Sequence, residues 1–123
     1  MLAGFSEADL QVQIVWEPVL RSDIAPPLTG VLALPADRRV SQYWDPGRVL
    51  SADLVRSVNE APRRYGFEEA LPEGFLAWDV IAVFGRSARW DDAVPVPAYY
   101  GGPVVDAIDA ASAAIRDQLA AAR

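Results

Sequence analysis

Whatever chemistry this chain performs must be done with 17 carboxylates, 11 arginines, seven serines, one threonine and four tyrosines, because it contains no cysteine, no histidine and no lysine. The absence removes the thiolate, the imidazole and the side-chain amine, and with them most routes to covalent intermediates, neutral-pH proton relay and transition-metal binding. Thiol–disulfide exchange is excluded, since it requires a thiolate.

Asp79 is the first candidate among the groups that remain. It is the one polar residue in the apolar run Phe75-Leu76-Ala77-Trp78-Asp79-Val80-Ile81-Ala82-Val83-Phe84. A carboxylate inside an apolar strand must be paired, hydrogen-bonded or protonated, because an isolated buried charge is very costly. Two readings follow. In one, Asp79 is a general acid or base with a raised pKa, or orients a ligand. In the other it is structural, ion-paired to Arg39, Arg86 or Arg89 or capping a neighbouring loop. The candidate ligand-binding partners are Arg39, Arg86 and Arg89, with Tyr43, Tyr99 and Tyr100 as hydrogen-bond donors.

The other constellations carry less. Arg38-Arg39 and Arg63-Arg64 could hold a carboxylate or phosphate bidentately if they converged, and otherwise are solvated faces balancing nearby acids. Tyr99-Tyr100-Gly101-Gly102 stands at a helix entrance, but Pro103 removes a backbone donor there and Asp106 fills the positive helix end with its own charge. Glu68-Glu69 and Asp91-Asp92 lack the spaced oxygens of a calcium loop, so they read as solvated pairs. No metal site and no cofactor are expected. Each of the four tryptophans, Trp16, Trp44, Trp78 and Trp90, is followed directly by an acid. Buried rings beside polar neighbours at element ends would account for that pattern.

The elements that must position these groups are legible in part. Residues 11–18 alternate and then run β-branched and aromatic, the pattern of a strand. Residues 23–29, with Pro26-Pro27, read as a loop, and Val31 to Leu34 is too short a run to classify. Pro35 followed by Ala36-Asp37-Arg38-Arg39-Val40 resembles a first helical turn, giving a short helix that ends at Trp44 before Asp45-Pro46-Gly47. A helix is expected at about 51–60, with Ser51 as its N-cap and Leu54, Val55, Val58 and Ala61 on one face. Residues 62–74 are loop, 75–84 a strand covered on both faces, 85–92 a polar connection, and 93–100 an edge or irregular strand, because Pro95 and Pro97 cannot donate to a ladder. Pro103 suits the first position of a closing helix whose core stripe is Val104, Ile108, Ala111, Ile115 and Leu119.

Central strand, polar turn, edge strand and amphipathic helix over 75–122 resemble the ββα half of a thioredoxin-like domain. The resemblance makes the strand at 11–18 and the helix at 51–60 the second strand and second helix of that family. Pro72 would then stand near the family's cis proline. It also implies that the opening strand and helix, with their Cys-x-x-Cys, are missing, so none of the family's catalytic residues carries over.

Composition sets the frame. A chain of 123 residues, 52% hydrophobic and 10% aromatic, has enough apolar content for one compact domain, here residues 1–123, and too much for intrinsic disorder. A formal charge of −6 repels phosphate backbones, which argues against nucleic acid as a partner. The first residues show no signal-peptide pattern and no stretch is apolar enough to span a membrane, so a soluble, cytoplasmic protein is expected. The expected fold is α/β, with α+β as the other possibility, built as a two- or three-layer thioredoxin-like sandwich with a small mixed sheet and a C-terminal amphipathic helix. The expected function is non-catalytic, acting through a protein partner or self-association. The alternative is a small-molecule site or enzyme around Asp79.

Overall fold

A computed structural model describes residues 1–33 and 35–123. It is a mixed structure of helices and two small sheets, each with two strands: one parallel pair and one antiparallel pair, where a single mixed sheet was expected. The chain divides into two compact units, Leu2–Val49 and Leu50–Arg123.

In the first unit, strand β1 (Val12–Trp16) pairs in parallel with strand β2 (Val40–Trp44), Val12 opposite Val40 and Trp16 opposite Trp44. Parallel partners need a crossover, and residues 17–39 provide it, including the four-residue helix α1 (Thr29–Leu32). That helix takes in the end of the expected loop and the start of the unclassified run, while Leu34 lies outside the described residues. The strand at 40–44 replaces the expected helix. The Asp37 carboxylate accepts from the Arg39 backbone N–H at 2.9 Å, and the Asp37 carbonyl accepts from Val40 at 3.0 Å, so the segment turns where a helix would have begun. From Val40 onward partly buried residues alternate with exposed Ser41 and Tyr43, which is strand periodicity. Trp16 Nε1 donates to Gln42 Oε1 across the pair at 2.9 Å.

Among the described residues, the second unit holds every buried hydrophobic residue except Phe5. Helix α2 (Val49–Val58) turns Leu54, Val55 and Val58 inward, with Val58 completely buried. It begins two residues before Ser51. Ser51 is buried within the helix, and its hydroxyl accepts from the Ala77 backbone N–H at 2.6 Å instead of capping the helix start. A 3₁₀ turn (Pro62–Tyr65), ended by Gly66 at φ +86°, occupies part of the expected loop. The Asn59 side chain clamps Leu71 through both its backbone groups, at 2.9 and 2.7 Å.

Strand β3 (Ile81–Val83) pairs antiparallel with strand β4 (Tyr99–Gly101), Ile81 opposite Gly101 and Val83 opposite Tyr99. Both are far shorter than the expected 75–84 and 93–100. A strand is only as long as its partner's ladder, and this one is bounded by Pro97 on one side and Pro103 on the other, neither of which has an N–H to donate. Before β3 the backbone turns twice, Phe75 N–H bonding to the Pro72 carbonyl and Trp78 N–H to the Leu76 carbonyl, and Asp79 adopts φ +54°. Helix α3 (Val104–Ala121) closes the unit with Ala107, Ala111, Ser112 and Ile115 buried; Val104, Ile108 and Leu119 flank that stripe and are half-buried. Pro103 is its N-cap residue, one position outside the expected place. The one cis peptide bond among the described residues is Gly102–Pro103, not the bond before Pro72.

Candidate functional site

An open cleft of about 400 Å³ lies in the second unit, lined by Tyr65, Phe67, Phe75, Trp78, Asp79 and Tyr100 together with Leu76, Val80 and the Gly101-Gly102-Pro103 corner. Each wall has a local cause. Tyr65 ends the 3₁₀ turn, and its hydroxyl donates to the Pro97 carbonyl at 2.6 Å, which fixes the ring. Tyr100 points inward from the middle of β4 and joins Leu54 and Val58 in the core, with Phe67 packed against that cluster. The Tyr65 and Tyr100 rings meet edge to face, centroids 6.1 Å apart, and Phe67 lies 6.1 Å from Tyr100. Burial pushes both tyrosine pKa values up, so both hydroxyls are protonated at neutral pH. Phe75 and Trp78 stand at the rim, 40% and 60% exposed.

Asp79 is exposed and outside β3, a correction to its expected place in an apolar strand. Its carboxylate Oδ1 accepts from the Val104 N–H at 3.2 Å. Val104 is the first residue of α3, whose N-terminal amides lack partners within the helix, and its N-cap residue Pro103 has no acceptor side chain. Asp79 therefore places an anionic acceptor on the positive end of α3 from 25 residues away in sequence. The expected cap was on a neighbouring loop; the group it holds is instead the first amide of a helix. The ion pairs Arg39–Asp37 and Arg56–Asp53 do not include Asp79. The corner beneath it requires glycine at 102, where a β-carbon would stand 2.5 Å from the Asp79 carbonyl oxygen.

Of the other candidates, Tyr100 alone lines the same cleft as Asp79. Tyr99 is next to it on β4 but faces the opposite side of the pair, its hydroxyl lying over Gly101. Arg86 and Arg89 are exposed in the connection after β3 and do not line the cleft. Arg39 belongs to the first unit, where it holds both Asp37 oxygens, at 3.0 and 2.7 Å, and also donates to the Phe5 and Leu2 carbonyls. The Arg39 bonds pull the Asp37 pKa down to about 2. Tyr43 is exposed on β2.

Sequence reasoning missed Tyr65, Phe67 and Phe75 as site residues, because aromatics between prolines and glycines carry no period. Nor are the tryptophans uniformly buried: Trp78 and Trp90 are 60% and 50% exposed, Trp90 with one edge against Phe84 at 4.7 Å between centroids. Among the described residues no group of three acids is placed to hold a metal ion, and no helix is long and apolar enough to cross a membrane.

Fold and site together define an α+β chain of two compact units whose second unit carries an aromatic cleft with one carboxylate at its edge. No family model, no curated protein and no solved structure matches it.

Proposed function

We propose that this chain is a redox-inactive thioredoxin-like domain that acts by binding a small molecule in the aromatic cleft, without turnover. The observation that carries the reading is the composition of the cleft: five aromatic rings converge on a concavity whose single carboxylate already serves α3, with no nucleophile–base pair beside it. The family part is supported by order and pairing sense. Strand, helix, strand, helix, strand, strand, helix, with the first two strands parallel and the last two antiparallel, is the thioredoxin-like sequence of elements. With Val40–Trp44 a strand, β1 and α1 take the place of the opening strand and helix, without cysteines. The two pairs are separate sheets, so the likeness rests on order and sense alone.

The test is a titration of the full chain with indole, a neutral aromatic probe, followed by two-dimensional amide NMR. Saturable shifts confined to residues 65–67, 75–80 and 100–103 are expected. Shifts elsewhere, or none, sink the cleft as a binding site.

Self-association is the second reading, favoured by the outer edges of two-stranded sheets, which are ready pairing surfaces. Sedimentation velocity over a wide concentration range tests it: a constant monomer removes it.

A further inference from the structure

We propose that the cleft of Tyr65, Phe67, Phe75, Trp78 and Tyr100 is a site for an organic cation, an alkylated ammonium group held against the ring faces with Asp79 as its counter-ion. The inference rests on reading the cleft as a small-molecule site and adds the sign and shape of the ligand.

Charge decides against the alternatives. Although the chain has 11 arginines, none lines the cleft, and the one acidic side chain that does is Asp79. Between Arg64 and Arg86 the sequence has Glu68, Glu69, Glu73 and Asp79 and no basic residue. The three glutamates are exposed, so the segment that supplies Phe67, Phe75 and Trp78 carries a negative field toward solvent. An anionic ligand would enter against that field. A neutral one would fit the rings and leave the carboxylate unused.

Ring chemistry narrows the cation. Aromatic faces are negative and attract a cation within about 6 Å of the centroid, most strongly when the ion sheds its water. A small inorganic ion is strongly hydrated and wants six or more oxygens. Here it would find one carboxylate and hydrocarbon walls. An alkylated ammonium is weakly hydrated, and its methyl groups would cover the rim, where Phe75 and Trp78 are exposed. The chain itself uses a neighbouring ring in this way, Arg64 Cζ lying 5.7 Å from the Tyr65 centroid. That contact competes for Tyr65 and leaves the other four rings.

Asp79 has the capacity for both roles. Oδ1 takes the Val104 N–H, and a carboxylate with two oxygens can accept further hydrogen bonds or face a cation. The helix end offsets part of its charge, so affinity should be modest and selectivity is the measurable quantity.

The experiment titrates the full chain with choline and, separately, with its neutral carbon isostere 3,3-dimethylbutan-1-ol, following the amide signals of residues 65–67, 75–80 and 100–103. Choline is expected to bind roughly tenfold more tightly than the isostere. Asp79→Asn keeps an oxygen acceptor for α3 and tolerates positive φ, and should erase most of that preference, bringing the affinities of the two ligands close to each other. Trp78→Leu, at a 60% exposed position, is the second variant if Asp79→Asn does not fold, and should also reduce the preference. Equal binding of both ligands overturns the cation proposal and leaves the cleft standing as a small-molecule site. Binding of neither at millimolar concentration, with indole bound, likewise overturns it; failure of indole as well overturns the cleft itself.

Discussion

Each of the two units of this chain is stabilised internally by different physics. In Leu50–Arg123, α2, β4 and α3 bury Leu54, Val58, Tyr100, Ala107, Ala111 and Ile115. Among the described residues of Leu2–Val49 the only buried hydrophobic residue is Phe5, while Leu20, Ile24, Leu28, Val31, Tyr43 and Val49 are exposed. What fixes that unit is polar: Arg39 ties Asp37 to the Phe5 and Leu2 carbonyls, Gln42 links Trp16 to the Leu32 carbonyl, and the Asp23 carboxylate accepts from the Val19 and Leu20 amides. Apolar burial contributes in proportion to area and is indifferent to moderate pH, whereas a charge-assisted network depends on ionisation. The cleft sits in the unit with the core, where its aromatic walls have something rigid to lean on.

The comparison breaks most visibly if the core is emptied. Leu54→Ala should destabilise the second unit by about 2–5 kcal/mol, because a buried leucine leaves a cavity. Ile14→Ala, at a half-buried strand position in the first unit, should cost less than that. Hydrogen exchange read separately in α3 and in β1 distinguishes them, and equal losses would remove the contrast.

A smaller effect, about 1–3 kcal/mol, is expected from Gly102→Ala, whose added methyl would press on the Asp79 carbonyl. Indole binding should weaken along with stability in denaturant titrations, since the same corner lines the cleft. Unchanged stability would mean that the corner yields.

The smallest effect separates the units by pH. Asp37 has its folded pKa lowered to about 2 by the Arg39 hydrogen bonds, from an ordinary 3.8. A depressed carboxylate pKa adds stability above the ordinary value, and that stability is lost as pH falls from about 3.8 toward 2. In Asp37→Asn this part of the acid loss should vanish from β1 and β2 amide protection, with no change in α3.

How much was legible follows from where the chain is periodic. The strand at 12–16, the helix around 51–58 and the long closing helix carry patterns that survive in the structure, because the period that marks each lies within the element itself. The apolar run 75–84 misled. Continuous apolarity marks burial without specifying strand, and most of the segment serves as turns and cleft wall instead. Residues 35–44 point in the opposite direction, since Pro35 and the acid after it suggest a helix while Asp37 and Arg39 build a turn. In the sequence Asp79 reads as a lone carboxylate in apolar surroundings, yet its structural task is to cap α3.

By itself the sequence determined which chemistries are closed: without cysteine, histidine or lysine, no thiolate, imidazole or side-chain amine can act, whatever the fold. It also determined the amphipathic helices, because their period is local. Only the tertiary structure decided that Tyr65, Phe67, Phe75, Trp78 and Tyr100 share one cleft with Asp79. The reason is that their convergence depends on two prolines ending a ladder, a positive φ at Asp79 and a glycine corner at 102, none of which is encoded as a repeating pattern along the chain.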